Sequence, residues 1–445
     1  MTTTLPYFLA GNYAPVAEEL TTHELPVTGA IPPELAGWYL RNGPNPHDAA
    51  SGHWFFGDGM IHGVRLDQGR AISYRNRWVR TSTFTDNAQT DGPHGEDLSA
   101  GPANTHVVRH AGRLLALVES SYPYEITAEL DTVGSYDFDG RLRTAMTAHP
   151  KTCPTTGELH FFGFGRRAPF LTYHRADAAG DLVLTRPIDV PASTMMHDFS
   201  MTAEHVVFLD LPVVLAPVPP GSGQMPYRWD ETYQARIGVL RRDDAYGEVR
   251  WLNVNPCYVF HTVNAYDDVD GRIVLHVMRY LRRFDDEQAG HPHAATLWRW
   301  TVDLAAGRVH EEQLDDRTGE FPRIDDRKAG LPARRGHVTT TRTGADGQHG
   351  AITRYDLHTG ATVGSHEFAG GQVPGEAAFV PADDSPDGPG WLVSYVYNPA
   401  TDTSDLVILD AEQLDAKPVA TVHLPVRVPF GFHGNWIPDR PTVTG

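Results

Sequence analysis

Apolar and polar positions alternate along most of this chain in short runs, and turn residues end each run before a helix could form. The runs Arg113–Val118, Leu159–Phe164, Phe170–His174, Val206–Leu211, Arg236–Leu240, Arg272–Met278, Thr296–Val302, Trp391–Tyr397 and Asp405–Leu409 are rich in β-branched and aromatic residues. Such residues suit a pleated, half-buried surface, so each run is expected to be a strand. Asn398–Ser404 lies between the last two as a hairpin loop. Helical periodicity is almost absent, and only Thr127–Asp131 suggests a single helical turn. Residues 1–36 hold Pro6, Pro15, Pro26, Pro32 and Pro33 and are expected to form an irregular lead-in. A short strand from Gly37 then runs into a rigid turn at Gly43–Pro46. Gly57 and Gly59 bracket Asp58 in a second turn. That lone Gly-x-Gly precedes no helical pattern and so carries no nucleotide-binding signal.

Many short strands at fairly even spacing mean an all-β sandwich, barrel or propeller. A repeat of fixed period, the usual mark of a propeller, is missing from the sequence. The chain has 445 residues, and the usual prior of ~150 residues per domain would suggest two or three. Toroidal all-β folds escape that prior, and no Gly/Ser or Pro tract divides the chain. One domain spanning 1–445 is therefore expected.

Charge and composition remove some functions. The net charge of −19 argues against a nucleic-acid partner and against an anionic membrane surface for the average face. No window approaches the ~20 apolar residues of a membrane-spanning helix. The N-terminus lacks a basic segment followed by an apolar one, so no signal peptide is expected. The two cysteines, Cys153 and Cys257, suit a reducing cytosol better than a disulfide scaffold. A cytoplasmic protein is the expectation. Leu211–Pro220 is apolar and proline-rich. It is expected to be a loop over a site, packed on the core, lining a hydrophobic entrance or making weak membrane contact.

Candidate chemistry centres on four histidines in apolar or glycine-rich settings: His149, His197, His261 and His433. Their spacings of 48, 64 and 172 residues are not those of zinc fingers. They suit a radial fold whose units each direct one side chain to a common axis, and the expectation is that all four meet on one iron ion. An imidazole-only set suits iron, copper, zinc or nickel. Being neutral, it leaves the ion's Lewis acidity intact. Ligating histidines usually donate their second N–H to a carboxylate or carbonyl. Glu119, Glu320 and Glu376 adjoin apolar residues where an unpaired carboxylate would be costly; exposed strand-end glutamates are the alternative. A zinc site that recruits Cys153 and Cys257 is a second possibility. Each cysteine lies four residues from a histidine, ~13 Å in extended chain, too far for one metal unless Pro154 or Pro256 bends the backbone. No Gly-x-Ser-x-Gly elbow and no His-Glu-x-x-His is present.

These residues lie in blocks that resemble the carotenoid cleavage oxygenase family, which includes stilbene- and phenylpropenoid-cleaving enzymes. The blocks are Arg41–Pro46, Phe56–His62, Tyr74–Thr81, Leu115–Glu119, His149–Lys151, Gly157–Leu159, His197–Thr202, Phe260–Ala265, Glu320–Arg323, Gly375–Pro381 and Phe432–Gly434, in family order over about nine-tenths of the chain. The resemblance implies a single-domain seven-bladed β-propeller whose loops and few short helices cap the metal site. It implies Fe(II) held by His149, His197, His261 and His433, with Glu119, Glu320 and Glu376 behind them and no separate catalytic acid or base. It further implies O₂ as co-substrate and cleavage of a C=C double bond into two carbonyl products. Stilbene cleavers of the family hold a phenol with a lysine just before the first of these glutamates and a tyrosine upstream. This chain has Val118 and Phe84 there, and Phe260 is a third candidate for the pocket wall. An apolar carotenoid or apocarotenoid is thus favoured over a stilbene or phenylpropenoid. A non-catalytic propeller that sequesters an apolar ligand is the reading from another class, but it gives no reason to keep all seven site residues.

Overall fold

The structure, a computed structural model, describes residues 6–47, 52–86, 91–92, 95–216, 218–219, 224–284, 294–342 and 348–439. Apart from two two-stranded ribbons, the strands pair antiparallel into seven sheets of four to six strands, the blades of a propeller. Blade 2 holds His106–His110, Arg113–Leu117, Tyr124–Ile126 and Thr132–Ser135; blade 3 runs from Lys151–Thr152 to Leu182–Ile188; blade 4 from Ser200–Met201 to Arg250–Asn253. Blade 5 runs from Tyr258–Asp267 to Arg308–Gln313, and blade 6 from Gly319–Arg323 to Thr362–Glu367. In blades 2, 4, 5 and 6 the first strand lies against strands of an adjoining blade.

Blades 1 and 7 close the ring by exchanging chain ends. Gly434–Pro438 pairs with Gly37–Pro44 in blade 1, Arg41 opposite Gly434. Val27–Gly29 pairs with Ala420–His423 on the far edge of blade 7, whose inner strand is Ala378–Pro381. Because both faces of every blade meet another blade, the strands bury apolar residues on both sides and the core forms as layers between blades. Leu40, Ile61, Val107 and Ala116 pack between blades 1 and 2. Tyr39, Val64, Val393 and Leu406 pack between blades 1 and 7.

All nine expected strands form, with ends shifted by no more than two residues. Three expectations change. Thr127–Asp131 is not helical: Thr127 and Asp131 hydrogen-bond across the turn of a hairpin, where Leu130 takes a left-handed φ of 65°. The lead-in is not wholly irregular, since Thr21–His23 and Val27–Gly29 add edge strands to blades 1 and 7. Within Leu211–Pro220, Val213–Leu215 pairs with Tyr227–Trp229 in a ribbon outside the blades. Leu211, Val213, Val214 and Ala216 are buried there, so these apolar side chains are not on the surface; Pro217 and Pro220 lie outside the described residues. Among the described residues no helix is long and apolar enough to cross a membrane.

Candidate metal centre

Every blade sends one residue to a common point. His433 directly precedes the inner strand of blade 1, His149 and His197 lie just before those of blades 3 and 4, and His261 sits within that of blade 5. Glu119 follows the second strand of blade 2, Glu320 lies in the inner strand of blade 6, and Glu376 just precedes that of blade 7. The ladder of blade 5 shifts register between Val259 and Thr262. A strand irregularity of this kind re-aims a side chain, here that of His261.

The ligand-capable nitrogens of the four histidines all lie within 4.8 Å of one another. The Nε2 atoms of His149 and His197 are 3.0 Å apart. Nε2 of His261 is buried and has no hydrogen-bond partner. Three of the rings are oriented from behind. His197 Nδ1 lies 2.5 Å from Glu119 Oε2, His261 Nδ1 2.6 Å from Glu320 Oε2, and His433 Nδ1 3.0 Å from Glu376 Oε1. A carboxylate at Nδ1 keeps the proton on that nitrogen and leaves the Nε2 lone pair facing inward. Burial, then the neighbouring imidazoles, holds His149 and His433 well below the usual histidine range. Burial also presses His261 down, but the Glu320 carboxylate outweighs it and leaves the ring raised. Converging imidazole nitrogens within reach of one point are what a divalent cation requires.

The glutamates are themselves fixed. Glu320 Oε1 accepts from the Tyr280 hydroxyl at 2.9 Å, and its Oε2 from the Phe321 backbone N–H at 2.7 Å. Phe321 itself takes a left-handed φ of 56°, a strained position for an aromatic residue. Glu376 Oε2 accepts from the Gly434 N–H at 2.7 Å and from Arg323 Nη1 at 3.3 Å, while Arg323 Nη1 also donates to the Gly434 carbonyl at 2.6 Å. Tyr280 and the strained Phe321 escaped sequence reasoning, because nothing in the sequence places one beside Glu320 or gives the other its φ. Arg323 was visible only as the end of the Glu320–Arg323 block.

A cavity of about 1450 Å³ opens onto the centre. His197, His261 and His433 line it, as do all three pocket candidates, Phe84, Val118 and Phe260. The Phe260 ring lies 5.2 Å from that of His197, and Phe321 lies 5.8 and 5.6 Å from His261 and His433. Leu215, Ala216, Val218 and Pro219 form part of the wall, the entrance-lining role considered for that loop. Phe55 and Phe56 of the short helical turn Trp54–Phe56 and Phe84 of the helix Ser82–Asp86 cap it. Cys153 and Cys257 are free and buried and belong to no metal-capable cluster among the described residues. The cluster is all imidazole, which removes the structural basis for a cysteine-containing zinc site.

Fold and site together define an all-β propeller with a four-histidine metal-capable centre beneath a large cavity. The family described as "Retinal pigment epithelial membrane protein" matches residues 13–438. A carotenoid cleavage oxygenase of Mycobacterium tuberculosis is 39% identical, over 97% of each chain. Carotenoid 9,10(9′,10′)-cleavage dioxygenase 1 of Arabidopsis thaliana is 33% identical, over 98% of this chain and 90% of its own. The crystal structure of Pseudomonas brassicacearum lignostilbene dioxygenase superposes with a TM-score of 0.86 at 28% identity, over 97% of this chain and 98% of that one. The chain belongs to the carotenoid cleavage oxygenase family, and its relatives' names mark it as an oxygenase.

Proposed function

We propose that His149, His197, His261 and His433 bind Fe(II) and that the protein splits a C=C double bond of an apolar conjugated substrate into two carbonyl products. The observation that carries this is the convergence of four imidazoles, three of them backed by carboxylates, at the wall of a large cavity. When bound, Fe(II) would supply the activation of O₂ beside the alkene.

The chain's own residues do the rest by position. Glu119, Glu320 and Glu376 hold three rings in the tautomer that presents Nε2. Phe260 and Phe321 give flat apolar walls beside the cluster, which hold a conjugated chain and keep water away. All three carboxylates of the centre are already engaged with histidines, so none is free to act as general acid or base. The cavity exceeds the roughly 300–1,000 Å³ of an ordinary small-molecule site, which leaves room for an extended polyene. Val118 and Phe84 line it without a phenol-binding group. A carotenoid or apocarotenoid is therefore the favoured substrate class. Cleavage of a stilbene or phenylpropenoid is the second reading, favoured by the likeness to the lignostilbene dioxygenase.

The test is anaerobic purification with metal analysis, followed by O₂ uptake on an apocarotenal, resveratrol and isoeugenol. Near-stoichiometric iron and uptake on the apocarotenal are expected. Uptake on resveratrol or isoeugenol alone would move the substrate class. Zinc that persists after iron-supplemented expression would overturn the mechanism.

A further inference from the structure

Arg41 is anomalous. It lies in Gly37–Pro44 of blade 1 and is only 7% exposed. Among the described residues its side chain makes no hydrogen bond and no ion pair, and Nε is buried without a partner. The other arginine so deeply buried, Arg279, faces Glu311 at 3.8 Å. Burial weighs most on its charge, and the ionisable groups near it are the side chains of Tyr39, Tyr395, Tyr74 and His62. The guanidinium lies against Gly431, where a Cβ would come within 2.2 Å of Nη1.

Two of those tyrosines are already committed. Tyr39 donates to the Glu376 carbonyl at 2.9 Å, and the Tyr74 hydroxyl meets His62 Nδ1 at 2.8 Å. The third is not: the Tyr395 hydroxyl is buried without a partner, on a residue 5% exposed. Both Arg41 and Tyr395 line the cavity that reaches the histidines. A buried cation without a counter-charge is expensive, and here an unused hydroxyl donor lines the same cavity. A carboxylate satisfies both, because it accepts from a guanidinium and an O–H at once.

We propose that Arg41 and Tyr395 form an oxyanion subsite on the wall shared by blades 1 and 7, and that its occupant is a carboxylate at one end of the alkene substrate. This deepens the alkene-cleaving function proposed above and rests on it. The substrate class becomes a conjugated alkene that ends in an acid rather than a hydrocarbon. The subsite would also fix which double bond reaches the metal centre, by holding one end of the chain at a set place.

The test reads binding without turnover. Quenching of tryptophan fluorescence in the metal-loaded protein is titrated under nitrogen with all-trans-retinoic acid and with methyl retinoate, which differ only in the charge at one end. The acid should bind about tenfold tighter, as a hydrogen bond to a charged group predicts. Tyr395→Phe removes only an unpartnered hydroxyl and should narrow the acid-to-ester ratio several-fold. Arg41→Met should bring it to one. Acetate added in excess should weaken binding of the acid and leave the ester alone. Equal affinities for acid and ester in the unaltered protein would overturn the proposal, as would a Tyr395→Phe variant that weakens both alike. Equal affinities with saturable acetate binding that Tyr395→Phe abolishes would overturn the substrate assignment in favour of a free anion. Failure of O₂ uptake on every alkene would sink the cleavage reaction and leave this binding difference standing, so the two ideas fail separately.

Discussion

At the residue scale the centre depends on nitrogens that nothing else in the protein uses. Nε2 of His261 is buried and unpartnered, so its truncation removes a ligand without breaking any hydrogen bond of that atom. His261→Ala should reduce metal content from near-stoichiometric to a small fraction while the circular dichroism spectrum stays that of the unaltered protein. Full occupancy would take His261 out of the ligand set. Glu320→Gln keeps the shape but replaces the carboxylate behind His261. It should weaken metal binding roughly 10- to 100-fold, read by competition with a chelator. Val118, next to Glu119 and lining the cavity, tests substrate choice. Val118→Lys should raise turnover of 4-hydroxystilbenes relative to apocarotenals by roughly tenfold, the worth of a charge-assisted hydrogen bond to the phenol. No change in that preference would remove the argument from Val118.

At the element scale the inner strands act as pointers. Blade 1 shows how tightly one is seated. A Cβ on Gly434 would fall 2.3 Å from the Tyr39 hydroxyl oxygen and 2.8 Å from its Cζ, and the Gly434 N–H holds Glu376. Gly434→Ala should cost about 1–3 kcal/mol through overpacking, seen as a lower thermal midpoint. It should also weaken metal binding by displacing Glu376 from His433. A lower midpoint with unchanged metal affinity would separate the strand's packing from the centre. The nine runs read as strands were legible because their β-branched and aromatic content is dense enough to read; length alone did not decide it, since Arg70–Trp78, Leu182–Ile188 and His349–Asp356 were not among them. Thr21–His23 and Val27–Gly29 were not legible either. Three residues carry too little pattern, and their strand character comes from the neighbour they pair with. The five-residue helix Ser82–Asp86 was hidden for the same reason.

At the scale of the whole molecule, packing between blades also buries histidines outside the four-histidine cluster. Burial lowers His174 and His337 to about 3 and His276 to about 4, with Arg354 and Arg335 adding to the effect on His337 and Arg299 on His276. Between these values and the ordinary 6.5, the unfolded chain binds protons that the folded one refuses. Stability therefore rises with pH across that window and is lost as pH falls below about 6.5. Each such histidine contributes at most about 1.4 kcal/mol per pH unit. Urea midpoints should fall from pH 7.5 to pH 5. A flat profile would mean that these rings gain protons in the folded state.

The residue types of the centre, the strand-rich architecture and the order of the family blocks are all determined by the sequence, because each is a property of local pattern. Four histidines in apolar settings and three glutamates beside apolar runs could be named before any fold was known. The tertiary structure alone decided that the seven converge, since His261 and His433 stand 172 residues apart and meet only because the chain's last strand closes its first blade. It also decided which supports surround them. Tyr280 behind Glu320, the left-handed Phe321 and the unpaired Arg41 follow from contacts between distant segments, and no spacing along the chain encodes which blade will lie against which.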